Sequence, residues 1–520
     1  MIRARVSNIK RSNMFYYFLI LTVFLFYLNL TKNFNYWKNK GVYFIKPYPI
    51  VGSILDVYLL KKSPSQIAEY LYKKHPNEKV VGVFRSSQPV LIVSDPTILK
   101  RIFTSDFNYF YARGMKIHNE EPLLRNLFFA DGDLWRSLRK RFTLAFTGVK
   151  LRGMYPLIEQ VAVRLQKKAV EISEGERVFD AQELMARYTT DIIGNCGFGF
   201  NVDSLNDDNC PFRSLSNRIF KFGIREGIVM VLKDNFPRLF GHLKYLPDLE
   251  KEITSLVKEI QAKRKFIPSG RNDFIDIMMG WKKDGDVTFK SMEKTDSNGE
   301  ATTVTLEITD ELMAAQAFIF LAAGFDTSSF NASCTLHYLA HHPDYQMKVQ
   351  RQIDQVMMKH NNQISYEAIK DMTFLESALK ETLRILPPVA FLTRECVKPY
   401  TIPELNVTID KGVMIIIPVQ ALQRDPKYFD RPDEFIPDRF VSNDTSSLDA
   451  YTYLPFGAGP RRCVGERFGQ IQSMAGLAAI LSKCSVVPAP ESRREPLISP
   501  IPNVVQSLQG GLPLILKRRN

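Results

Sequence analysis

The sequence predicts a mainly helical (α+β) chain with short strands, carried on an N-terminal membrane helix. Three observations point there. An uncharged apolar run fills residues 14–30. Helical periodicity dominates from about Asp95 to Met347 and returns after Cys463. Strand signals are few and short, at Val80–Phe84, at Pro89–Ser94 and between Val397 and Pro418. A length of 520 residues allows two to four domains or, less usually, one large core.

Composition narrows the function. With 45% apolar and 24% charged residues the chain folds, and 36 Phe demand a large core, a lipid contact or a ligand cavity. The net charge of +14 suits nucleic acid, an anionic membrane or an acidic protein. No zinc-finger spacing or RNA-binding motif is present, so nucleic acid is set aside. The six Cys are scattered without a CxxC, which fits a reducing compartment and no disulfide framework. No dinucleotide or triphosphate loop appears, so electrons for any redox chemistry come from elsewhere.

The elements follow in order. Residues 1–13 are a polar, basic extension (Arg3, Arg5, Lys10, Arg11). Residues 14–30 read as an uncleaved transmembrane anchor. A signal peptide lacks its small-residue cleavage site after Leu30, and a mitochondrial presequence would be amphipathic. Lysines follow the run as well (Lys32, Lys38, Lys40, Lys46), so charge does not fix its orientation. Residues 31–52 form a linker ending in the stiff Lys46-Pro47-Tyr48-Pro49-Ile50-Val51-Gly52, and residues 53–520 form the folded body. Trp135 and Arg139 are i and i+4 on one helix face, ordinarily a surface cation–π pair. Lys282 to Thr302 reads as a solvent-exposed polar insertion.

Glu311 to Leu339 is the longest apolar helical run after the anchor, yet Gly324, Thr327 and Ser328 weaken its centre. Thr327 is placed to bond back to the Ala323 carbonyl and widen the helix locally. Glu381 and Arg384 pair at i, i+3 on a helix stopped by Pro387-Pro388. Asp410-Lys411-Gly412 turns between two short strands. Finally Gly457 and Gly459 open a tight loop, and Cys463 stands just before a helix whose positive end favours a thiolate. On its own a lone Cys is usually a small buried hydrophobe, and on this loop it is also a candidate metal ligand.

Phe456-x-x-Gly459-x-Arg461-x-Cys463-x-Gly465 resembles the haem-binding loop of the cytochromes P-450. The proline-rich hinge, Trp135-x-x-x-Arg139, Ala323-Gly324-x-Asp326-Thr327 and Glu381-x-x-Arg384 resemble the same family in the right order, from about Pro47 to Arg519. Asp-Leu-Trp-Arg-Ser-Leu-Arg-Lys-Arg-Phe-Thr and Arg-Asp-Pro-Lys-Tyr-Phe are most like insect microsomal, xenobiotic-metabolising members. The resemblance implies one large helical domain with small β-sheets at one edge, on the cytoplasmic face of the endoplasmic reticulum. It implies haem b, with Cys463 as iron ligand, and Trp135, Arg139, Arg394, Phe456 and Arg461 as cofactor-binding residues. Asp326 and Thr327 become the proton relay to dioxygen. Arg439 of Pro437-Asp438-Arg439-Phe440 joins the Glu381–Arg384 pair, and Gln423 stands where His or Asn is commoner.

The implied reaction is insertion of one oxygen atom into a lipophilic molecule, foreign or endogenous. Electrons come from NADPH through cytochrome P-450 reductase, with cytochrome b5 as an optional second donor. Arg136 and Lys140, with Arg141, Lys150 and Arg152 nearby, form a basic stripe for that acidic partner. The apolar pocket is expected from Phe128, Phe129, Phe220, Phe318, Ala322, Ala323, Val389–Phe391 and Leu508. A haem-thiolate isomerase or dehydratase and a non-catalytic haem-binding protein are the alternatives. Asp326 and Thr327 argue against both.

Overall fold

The chain starts with a single helix, α1 (Ile2–Thr31), so the basic extension and the apolar run share one rod. Met14–Thr31 is long and apolar enough to cross a membrane. Its side chains from Met14 to Leu28 are exposed, up to 73% at Tyr17. The structure, a computed structural model, describes residues 2–115, 121–219, 224–245, 247–441, 450–501 and 504–519.

Residues 31–45 are not a loose connector. Trp37 is fully buried, its Nε1 donates to Val83 O at 3.1 Å, and its ring lies where a Cβ on Gly82 would fall. Phe44 bridges to Gly82, and the 48–52 turn bridges to Arg85. The rim of the body is thereby stitched to the root of the anchor. Phe26 of α1 also stacks on Phe236, with ring centroids 6.2 Å apart.

Strands β1 (Val80–Arg85) and β2 (Gln88–Val93) form the expected hairpin. The helical body opens with α2 (Gly132–Ala145). The segment read as a polar insertion is ordered: a helix runs to Asp284, and β3 (Val287–Thr295) pairs antiparallel with β4 (Ala301–Leu306). Its Val287, Phe289 and Ser291 alternation and its Asp296–Gly299 turn are hairpin chemistry. α3 (Asp310–His341) follows, with a Thr309 side chain accepting from Leu312 N at its start. It is apolar around most of its circumference because it is the core helix; 24 of its 32 residues are buried.

Next come α4 (Thr373–Ile385), β5 (Leu392–Glu395), β6 (Met414–Ile417) and α5 (Glu466–Leu481). The largest sheet has the order β1-β2-β6-β5, with only the β2–β6 pair parallel. Four smaller pairings or ribbons accompany it. One core cluster joins α3 and α5 to helices 148–174 and 181–193, while the sheet carries its own cores at the anchor end. The architecture is mainly helical with small sheets at one edge, as expected.

Candidate active site: a cysteine loop among buried arginines

The loop before α5 is built by hydrogen bonds that leave the sulfur at its tip. Gly457 N donates to Leu454 O at 3.0 Å, and Cys463 N donates to Phe456 O at 2.9 Å. Gly459 has φ +68°, and a Cβ there would meet Phe103 O at 1.8 Å. Only glycine permits both that turn and that approach. Protein crowds Cys463 closely enough that burial raises its thiol, although the Gly465 amide and nearby arginines pull the other way. The helix end therefore does not by itself outweigh burial. Yet the Cys463 side chain is exposed, so its sulfur is open to a ligand. Ala323, at the middle of otherwise buried α3, is exposed as well.

α3 crosses α5 just beyond the loop. Gln472 Nε2 donates to Gly324 O at 3.0 Å, and a Cβ on Gly469 would lie 3.5 Å from Ser328 Oγ. This contact brings the Asp326–Thr327 step near the cysteine loop. Thr327 Oγ1 donates to Ala323 O at 2.7 Å, as its spacing predicts. The expected widening is absent: α3 stays α-helical throughout, because the hydroxyl adds to the ladder without displacing it. Burial pushes the Asp326 carboxyl up to about 6, partly offset by Arg213.

On the other side four arginines converge. Arg461 donates from Nε to Tyr111 O at 2.7 Å and from Nη2 to Asp131 Oδ1 at 2.6 Å. Its guanidinium lies 4.3 Å from the centre of the Trp135 ring. So Trp135 is buried and stacks under Arg461, not in an ordinary surface pair with Arg139. Arg139 is half-buried and reaches the Arg462 carbonyl, at the neck of the loop. Arg394, on β5, is 2% exposed and bonds the Thr393 carbonyl. Phe456 lies at the loop's mouth, where its carbonyl closes the turn on Cys463.

Arg113 completes the group and carries no motif in sequence; only its neighbours in the fold reveal it. Burial lowers Arg113 to about 10 and Arg461 to about 9, and mutual repulsion adds to the depression of Arg461. Arg394 is depressed well below the ordinary range by burial, then by Arg113 and Arg461.

This donor set tests what the cleft is made for. Asp131 is the one carboxylate bonded to these guanidinium groups among the described residues. Arg113 Nε, Arg394 Nε and Arg461 Nη1 are buried without a hydrogen-bond partner. Orphaned donors of this kind and surplus buried positive charge are costly unless an anion completes them. A group bearing two carboxylates and a thiophilic metal fits both requirements, which is the case for haem.

Below the loop, Glu381 and Arg384 of α4 are both fully buried and paired twice at 2.8 Å. Arg384 also donates to the carbonyls of Gln423, Pro432 and Glu434, while Glu381 accepts from Ile436 N and Arg439 Nε. Gln423 has a role the sequence did not suggest. Its amide donates to the Leu383 and Arg384 carbonyls, and its oxygen accepts from Leu454 N at 2.8 Å. It thus ties the ion pair directly to the strand of chain entering the cysteine loop.

The apolar residues gather in part. Asn126 and Gln316 fix the backbone of residues 127–129, and the Phe128 ring lies 4.2 Å from the Arg113 guanidinium. Gln506 bonds the carbonyls of Pro387 and Pro388, which brings the Leu508 tip beside Val389–Phe391. Phe220 lies outside the described residues. In the basic stripe Arg136, Lys140 and Lys150 are exposed, but Arg141 turns inward to the Trp281 and Gly285 carbonyls.

A thiol held at the neck of a cleft whose opposite wall demands carboxylates is the arrangement of a haem-thiolate enzyme. The family model for cytochrome P-450 matches residues 44–510, and the chain belongs to that family. It is 34% identical over 489 residues to cytochrome P-450 6B2 of Helicoverpa armigera, covering 94% of this chain and 95% of that one. It is 34% identical to cytochrome P-450 6B1 of Papilio polyxenes over 486 residues, 92% and 95% of the two chains. With cytochrome P-450 6j1 of Blattella germanica the identity is 32% over 489 residues, 93% and 94% of the two. The protein is a haem-iron P-450 monooxygenase that uses dioxygen, a redox partner and a lipophilic substrate.

Proposed function

We propose that this enzyme holds haem b on Cys463 and oxidises lipophilic compounds, foreign or endogenous, at the cytoplasmic face of the endoplasmic reticulum. Its reducing equivalents come from NADPH through cytochrome P-450 reductase, with cytochrome b5 as a second donor. The observation that carries this reading is the cluster of buried arginines with orphaned donors facing the Cys463 cleft. When bound, the thiolate-ligated haem supplies the oxidant that inserts one oxygen atom into a C–H bond. The protein does the rest. Arg113, Arg139, Arg394 and Arg461 hold the propionates, Trp135 braces Arg461 from below, and Phe456 shields the sulfur. The exposed apolar residues 14–30 of α1 are the membrane anchor, after the basic extension 1–13 and before the 31–52 linker and the 53–520 catalytic domain. A screen of lipophilic compounds for a type I spectral shift, followed by NADPH- and reductase-supported oxidation, tests the reading. Preference for small charged metabolites would overturn it.

Thr327 Oγ1, 2.7 Å from the Ala323 carbonyl oxygen, passes on the proton and the adjacent Asp326 resupplies it. Thr327→Ala therefore keeps consuming oxygen but makes more peroxide, with product per NADPH down on the order of tenfold, within the range of a positioned proton donor. Above about pH 6 the Asp326 carboxyl is ionised and must be recharged before it donates. Product per NADPH accordingly falls as pH rises through that value, and Asp326→Asn flattens the profile. Unchanged coupling in Thr327→Ala would leave that residue a packing element.

Arg136 and Lys140 present exposed charge on α2 for the acidic reductase. Replacing both by Glu slows reductase-supported turnover by about tenfold at low salt, the usual scale of electrostatic steering. Added salt slows the parent more than the variant, and peroxide-driven turnover is spared. Equal loss of both activities would show that the stripe serves folding or haem binding.

A further inference from the structure

Asp131 is the N-cap residue of α2, yet its side chain does not cap that helix. Its carboxylate is turned away, to Arg461 Nη2 at 2.6 Å and to the Arg113 amide at 3.0 Å. The helix start is served instead from the β3–β4 hairpin. The ladder shifts register between Lys290 and Thr295, and residues 291–293 project from that irregularity onto α2. Glu293 Oε2 accepts from Asp133 N at 3.1 Å, and Oε1 accepts from the Tyr111 hydroxyl at 3.2 Å. Asp133 in turn accepts from Ser291 Oγ at 2.6 Å and Met292 N at 2.7 Å. Gly132, with φ +54°, makes room: a Cβ there would fall 2.0 Å from the Glu293 carboxyl carbon. Met292 packs on the cluster of Ala130, Trp135 and Leu138 that underlies Arg461.

We infer that Glu293 caps α2 in place of Asp131, and that this exchange releases the Asp131 carboxylate to neutralise and orient Arg461 beside the cysteine loop. The hairpin is thus a brace for the cofactor site, and Glu293 is a positioning residue. Tyr111 strengthens the link, since its carbonyl holds Arg461 Nε while its hydroxyl is held by Glu293. A helix N-terminus leaves its first amides without an intrahelical acceptor, and two carboxylates are placed to serve them here. Removing Glu293 lets Asp131 rotate back to its own helix and abandon Arg461. The inference rests on the reading of Arg461 as a propionate-binding residue, and two measurements keep the two apart.

The first is hydrogen exchange over residues 132–136 in the haem-loaded full chain, compared among Glu293→Ala, Asp131→Ala and the double variant. Each single variant retains one capping carboxylate and exchanges within about twofold of the parent, while the double variant exchanges at least about fivefold faster, the worth of a lost cap. If the double variant exchanges no faster than the faster single, the shared cap is overturned. The second is the rate of haem transfer to an excess apoprotein acceptor. Glu293→Ala raises it about fivefold, Glu293→Gln less than twofold because the amide oxygen still accepts from Asp133 N, and Arg461→Ala raises it at least as much as Glu293→Ala. If Arg461→Ala retains haem as the parent does, the propionate reading fails while the exchange result still judges the cap. If Arg461→Ala loses haem but Glu293→Ala does not, the positioning role is overturned.

Discussion

Cys463→Ala abolishes the red-shifted Soret band of the reduced, carbon monoxide-bound protein, and with it all reductase-supported oxidation. The expectation follows from how the sulfur is held. The loop is fixed at Leu454–Gly457, at Phe456–Cys463 and by the approach of Gly459 to the Phe103 carbonyl, so no other side chain can swing into the position of the sulfur. The other five Cys (196, 210, 334, 396 and 484) are all buried elsewhere, and burial raises the thiols of Cys196, Cys334, Cys396 and Cys484. None of them lies on the loop, and Cys463 is the exposed one. The arginine wall is untouched by the change, so the variant would still capture some haem without its thiolate, and the band would move to the blue. Cys463→Ser is the companion: an alkoxide is a far poorer donor than a thiolate at neutral pH. Persistence of the thiolate band in Cys463→Ala would show that the ligand lies elsewhere and would sink the proposed site as a whole.

What the sequence disclosed depended on how local the cause was. The cysteine loop, the Thr327 back-bond and the Glu381–Arg384 pair are set by residues within a few positions of one another, and the structure shows each with the partner its spacing suggests. The Trp135–Arg139 face was legible, but the partner of Trp135 was not. Arg461 reaches it across more than three hundred residues, and no helix periodicity encodes that distance. Arg113 was invisible for the same reason, since its environment is assembled from Asp131, Arg394 and Arg461 on separate elements. The β3–β4 hairpin is a different case. Its alternation and turn are in plain view at Val287–Leu306, and its polar, lysine-rich composition reports the exposure correctly but not the strand pairing. Strand pairing there is paid by docking on α2, not by burying a broad apolar face, and composition alone does not report docking.

Arg384→Ala yields no stable haem-loaded protein. Glu381 and Arg384 are both 0% exposed, and Arg384 uses its fork to hold Glu381 and three carbonyls on the chain from Gln423 to Glu434. Truncating it leaves the Glu381 carboxylate buried with Arg439 Nε at 3.3 Å and one amide as its remaining partners. Breaking one side of a buried ion pair costs about 3–5 kcal/mol, and the three carbonyls lose their donor as well. That sum is a large share of the ~5–15 kcal/mol by which folded domains are ordinarily stable. Arg384→Lys does not rescue it, because one ammonium on a flexible stem cannot span a carboxylate and three separated carbonyls. Gln423→Ala is the graded test. It leaves the ion pair intact but unlinks it from Leu454 N, a buried donor whose loss of a partner costs about 1–3 kcal/mol. The cysteine loop then loosens before the body melts: haem is lost at temperatures where the far-ultraviolet circular dichroism of the helices persists. If Arg384→Ala purifies with full haem and melts at the temperature of the parent, the network is ornamental. If Gln423→Ala releases haem only together with the helical signal, the pair and the loop form a single cooperative unit without the hinge that Gln423 provides.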